Sequence, residues 1–174
     1  LKDTRPRAAI TLAALADDPR VGLQRASALG VRGVQLSAGQ QGTRPGDLGE
    51  SARRDLLAAA RRHELEFSGV DAWARPEDLA DPARVGAALE AILASISLAS
   101  DLGRIPVSLR LPAPTDATEL TAAIEAAASK SGVQILDHAV AIVERDAPIG
   151  VGIDPPMWLA AGQDPLQGVR EAGE

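Results

Sequence analysis

The stretch GVGIDPPMWLAAGQDP, residues 150–165, decides how the rest of the chain is read. Four small or apolar residues end in a carboxylate, and two prolines follow at once. In an extended strand alternate side chains face opposite sides, so Val151 and Ile153 share one face while Gly150, Gly152 and Asp154 share the other. Pro155 and Pro156 have no N–H to donate to a ladder, so pairing stops there. The pattern predicts a buried strand with Asp154 held at its carboxyl end, on a face where glycines leave room.

Working outward, five more apolar runs of the same kind occur, at 8–12, 33–37, 65–70, 105–111 and 133–136. They are rich in β-branched residues or Leu and are bounded by Gly, Pro or Asp, as buried strands are. Between them lie Ala-rich segments with helical spacing, at 20–29, 51–63, 82–102 and 119–130. The segment 139–147 is short for a crossover helix. Asp81-Pro82, Thr115-Asp116 and Asp164-Pro165 offer helix starts, and Gly30, Gly103 and Gly132 sit where a helix-ending glycine would. Strand then helix, about six times over, is the signature of a parallel sheet covered by helices.

Two closures of that pattern compete. An open doubly wound parallel sheet suits the 174 residues, whereas a complete (β/α) TIM barrel takes about 250. Polar alternation decides for the barrel. Gln35 and Ser37 flank Leu36, Glu66 and Ser68 alternate with Leu65 and Phe67, and Ser108 and Arg110 alternate with Val107, Leu109 and Leu111. A sheet covered on both faces would bury these groups at a cost, while a barrel keeps one face for polar residues near its mouth. The expectation is a single α/β domain over 1–174, a barrel of about six of the eight βα units.

Composition bounds the function. Hydrophobic residues make up 45%, and there is no cysteine, so disulfides and thiolate metal sites are excluded. With 24 acids against 18 bases the net charge is −6, which argues against a nucleic-acid surface. No apolar run reaches the roughly 20 residues that span a bilayer. A cytoplasmic location is the simplest expectation. No G-x-G-x-x-G, P-loop, H-E-x-x-H or G-x-S-x-G motif is present.

The candidate site residues are those at strand ends, where α/β proteins gather their chemistry. They are Gln35, Ser108, Arg110, Asp137, His138 and Asp154, with Trp73 and Trp158 as walls of a sugar pocket or as packing. Arg110 suits an anionic or hydroxylated ligand, or an internal ion pair with Asp71 or Asp137. His138 reads as a metal ligand through its imidazole or as a loop residue, and an Asp after a strand reads equally as a helix cap. His63 falls at a helix C-terminus, where partial positive charge is favourable, and needs no further role.

Four stretches together resemble the sugar phosphate isomerase/epimerase family, the xylose isomerase-like TIM barrels. They are ALGVRGVQLS (28–37), ARRDLLAAARRHELEFSGV (52–70), SDLGRIPVSLRL (100–111) and above all GVGIDPPMWLAAGQDPLQGVREAG (150–173). The resemblance implies a divalent metal (Mn, Mg, Co or Zn) at the barrel mouth and proton transfer at the carbon next to a carbonyl of a small sugar or sugar phosphate. It assigns Asp154 to the sixth-strand metal Asp. Asp137, with His138 beside it, takes the place of the fifth-strand Glu, as metal ligand or base, and Arg110 orients substrate. The seventh- and eighth-strand ligands have no counterpart up to Glu174, so the expectation is a barrel stopped before its last two strands. Its free edge would invite self-association into a homo-oligomer. A second reading is a degenerate, non-catalytic barrel that binds a sugar-like ligand or a partner protein. A third, a DNA-repair endonuclease of the same superfamily, runs against the negative charge.

Overall fold

The computed structural model describes residues 8–72, 74–112, 118–140 and 147–172. Six strands form one sheet in the order β1-β2-β3-β4-β5-β6: β1 (Ala9–Thr11), β2 (Gly33–Ser37), β3 (Glu66–Asp71), β4 (Val107–Leu109), β5 (Ile135–Asp137) and β6 (Ile149–Val151). Every pair is parallel. A doubly wound sheet reverses its strand order so that helices fall on both faces. Here each strand pairs with the next in sequence, and right-handed crossovers then carry the helices to one face only. The sheet is therefore an unclosed barrel wall, with a helix-covered face and a concave face.

The main helices are α1 (Pro19–Ala28), α2 (Glu50–Arg62), α4 (Val85–Asp101) and α5 (Thr118–Ser131), with shorter α3 (Pro76–Ala80), α6 (Pro155–Ala160) and α7 (Pro165–Glu171). Their punctuation follows simple chemistry. Asp18 caps α1 by accepting from the N–H of Arg20 at 2.8 Å, and Asp164 caps α7 through Leu166 at 2.9 Å. Gly30, Gly103 and Gly132 carry the positive φ that ends a helix cheaply. The start expected at Asp81-Pro82 differs. Asp81 closes α3 and holds the N–H of Ala83, so α4 begins only at Val85, after a turn. Thr115-Asp116 and most of 139–147 lie outside the described residues. No described helix is long and apolar enough to cross a membrane.

The register separates the two faces. Leu36, Val70, Val107, Ile135 and Ile149 lie side by side and are buried in the core with Ile92, Ile96 and Ile124 of the helices. Each such side chain contributes about 1.5–3 kcal/mol by leaving water. One position further along, Ser37, Asp71, Ser108, Leu136 and Gly150 form the neighbouring row on the concave face.

A β-bulge sets this row. Val34 pairs with Phe67 but Gln35 pairs with Gly69, leaving Ser68 as the extra residue, its hydroxyl donating to the Val34 carbonyl at 3.1 Å. Phe67 and Val70 both belong to the core although three residues apart. Strict alternation from Phe67 would send Asp71 to the helices; the bulge turns it to the concave side.

Candidate functional site

The concave row ends at the carboxyl ends of the strands. Gln35 sits beside Thr11, whose hydroxyl donates to its side-chain carbonyl at 3.3 Å. Ser108 is only 6% exposed, between Asp71 on β3 and Leu136 on β5. Val107, Leu109 and Leu111 are core residues, so Arg110, two beyond Ser108, follows its parity toward the hollow. Arg110 is half-buried, and among the described residues it makes no hydrogen bond or ion pair. The internal pair with Asp71 or Asp137 is not formed. A cation partly withdrawn from water without a partner is unfavourable.

Asp137 is placed differently from Arg110. It pairs in register with Leu109 and Val151, which gives it the parity of the helix-facing residues. It is 5% exposed, and its carboxylate accepts the Leu111 N–H at 3.0 Å. Strand β4 has ended at Leu109, and Asp137 supplies the acceptor that a longer β5 partner would have offered.

The glycines in and just after β6 do not leave an empty space. A Cβ built on Gly150 would lie 3.0 Å from Nε2 of Gln134, and one on Gly152 would lie 2.5–2.8 Å from three ring atoms of His138. Gln134 and His138, which flank β5, lean across and fill the room. His138 is packed there with both ring nitrogens buried. Burial pulls its pKa below the ordinary histidine value, and the nearby carboxylates of Asp154 and Asp137 oppose this only in part. Burial thus favours the neutral ring.

Asp154 serves as the N-cap of α6, its carboxylate accepting from Met157 N–H at 3.3 Å ahead of Pro155. Replacing Asp154 by Ala should therefore cost about 1 kcal/mol in urea unfolding, and Asp154→Asn, which caps equally well, almost nothing. Equal losses in both variants would show that the charge, and not the cap, holds this turn.

Asp137, His138 and Asp154 do approach one another at the tips of β5 and β6. Yet both carboxylates are turned onto backbone N–H groups, and among the described residues no three His, Asp or Glu side chains are disposed around a common point for a metal. A catalytic divalent cation takes at least three protein ligands. The set does not fit one.

Trp158 is 5% exposed, and its ring lies against Gly168 of α7, 2.6–2.9 Å from where a Cβ would stand. It clasps α6 to α7 and does not wall the hollow. Trp73 lies outside the described residues. The residues that join Ser108 and Arg110 are instead Ser37 and Asp71, brought there by the bulge.

Neither a family model nor a curated protein sequence matches the chain. Solved structures do. A xylose isomerase domain protein from Planctomyces limnophilus superposes with a TM-score of 0.73 at 15% identity, over 99% of this chain and 72% of that one. The probable 3-DHS dehydratase AsbF from Bacillus anthracis gives 0.68 at 13%, over 96% and 69%. A sugar phosphate isomerase/epimerase from Parabacteroides distasonis gives 0.65 at 15%, over 99% and 73%. At these identities the likeness is one of fold.

Proposed function

On the premise that the chain has the xylose isomerase-like barrel fold, we propose that it is an isomerase/epimerase-type protein that binds a small sugar or sugar phosphate on its concave face. One observation carries the reading: Arg110, half-buried and unpaired among the described residues, lies beyond the in-register row Ser37–Asp71–Ser108. Hydroxyls of the ligand exchange hydrogen bonds with Ser37 and Ser108, whose side chains both donate and accept. The Arg110 guanidinium seats a phosphate or an electron-rich oxygen through paired N–H donors. Asp71 is the one carboxylate in that row, and it takes the proton from the carbon beside the ligand's carbonyl.

Calorimetric titration with a ketose phosphate and with the free ketose tests the reading. The phosphate should bind, and Arg110→Met should weaken it at least about tenfold, the loss of one charge-assisted contact. Deuterium from solvent should enter at the carbon next to the carbonyl, and Asp71→Asn should stop it while binding persists. If neither sugar binds, or if Arg110→Met binds as well as the parent, the concave face is not the ligand site. Binding with no deuterium uptake would instead favour the non-catalytic reading, which the engagement of Asp137 and Asp154 with backbone already supports.

A further inference from the structure

On the opposite side of the β2 and β3 tips, a cavity of about 350 Å³ opens between the loop after β2 and helix α4. Ala38 and Ala72 directly follow Ser37 and Asp71, so they face away from the concave row. Together with Ala74, Ala91, Ala94 and Ile92 they make a wall that is apolar and short-sided.

This space is braced open. Thr43, fully buried, donates its hydroxyl to the Ser37 carbonyl at 2.7 Å, and Asp47 accepts from the Gly42 N–H at 3.1 Å. From α2, Arg53 donates to the carbonyls of Leu48 at 2.8 Å and Pro45 at 3.3 Å, and pairs with Asp101 of α4 at 2.5 Å. The loop is thus tied to the strand behind it and, through Arg53, to the helix across from it. Neither wall is free to collapse inward.

Polar groups at the cavity are few. The Ser95 hydroxyl is spent on the Ala91 carbonyl at 2.8 Å. Arg44 is the one charged lining residue; its Nε donates to the Gly39 carbonyl at 3.0 Å, and its two terminal nitrogens have no partner among the described residues. A preformed apolar cavity of this size with one convergent cation has the make-up of a small-ligand site.

We infer that this cavity binds a small amphiphilic carboxylate, its hydrocarbon body against the alanines and its carboxylate on the terminal nitrogens of Arg44. The volume admits about a dozen non-hydrogen atoms, at ~30 Å³ for each water-sized group. The planar guanidinium suits a carboxylate, and a purely apolar guest would leave that charge unused. This site is separate from the concave face and does not depend on what binds there.

Hexanoate and its neutral counterpart hexanol are the probes, followed by amide NMR titration of the full chain. Hexanoate should bind saturably and shift Gly39, Gly46 and Ala91, and hexanol should bind at least about tenfold more weakly. Arg44→Gln should erase that difference. Ala94→Leu, which fills the cavity from a half-buried position, should weaken both probes. Failure of hexanoate to saturate, or equal binding by hexanol, overturns the inference. So does hexanoate binding that survives both substitutions. Should Ala94→Leu fail to fold, the exposed Arg44→Gln decides alone.

Discussion

Replacing Asp137 by Ala is expected to lower the unfolding free energy by about 2–3 kcal/mol. The substitution leaves the Leu111 N–H buried without its acceptor, and such an orphaned group costs about 1–3 kcal/mol. It also leaves a small void next to Leu109, a fully buried neighbour. Asp137→Asn keeps a carbonyl oxygen for the same N–H and should lose less than half as much. Urea unfolding of the three proteins measures both differences. If the Ala protein matched the parent, Asp137 would not be what closes the β4–β5 ladder. The Asn protein has a second use: folded and lacking the charge, it should still take up solvent deuterium at the ligand carbon if Asp71 is the base, and should fail to do so if Asp137 is the working carboxylate.

The second large effect is expected from Gly152→Ala. The new methyl would fall 2.5 Å from Nε2, 2.6 Å from Cδ2 and 2.8 Å from Cε1 of His138, distances that real Cβ atoms essentially never show. The imidazole must swing away, and overpacking of this kind costs about 1–3 kcal/mol. A pH signature accompanies the loss. In the parent, burial holds the His138 pKa below its ordinary value, so as pH falls through the ordinary histidine range the unfolded chain takes up a proton that the folded chain refuses. Stability from this residue is therefore complete above that range, and it declines as pH drops toward the depressed folded value. Once displaced toward water, the ring titrates nearer its ordinary value, and the slope should flatten. Unfolding midpoints of parent and variant at several pH values between 8 and 5, with the imidazole resonances followed by NMR, separate the packing loss from the proton linkage. An unshifted His138 titration in the variant would mean that the ring never left its place.

Much of the fold is legible in the chain because apolar parity is strict where it matters. Val107, Leu109 and Leu111 are all core, and the polar residues between them point the other way, which is why a barrel wall is a better reading than a sheet covered on both sides. Parity also carries information about Asp137. It stands two residues from Ile135 and shares its side, so its place among helix-facing residues follows from alternation once Ile135 is assigned to the core. Asp154 repeats the Asp-Pro pattern of Asp164, and both are caps.

What the chain does not disclose depends on neighbours far off in sequence. Nothing local distinguishes Ser68 as an extra residue; only pairing with Val34 and Gln35 reveals it, and with it the side that Asp71 takes. The glycines at 150 and 152 suggest vacancy, because the side chains that occupy it, Gln134 and His138, flank β5 and reach it through the register. The Trp158–Gly168 contact is of the same kind, a fit between two helices that neither helix announces.

The strand order has a kinetic corollary. Each ladder joins strands that are consecutive in sequence, and none waits for a distant segment to arrive. Pairing of consecutive strands limits the entropy lost in closing each loop, although parallel pairing across a crossover stays slower than a hairpin. During synthesis β1 and β2 can join while β4 is still being made, and every later strand docks onto a template already laid down. The wall would thus grow in one direction, from the amino terminus, as the ribosome releases it.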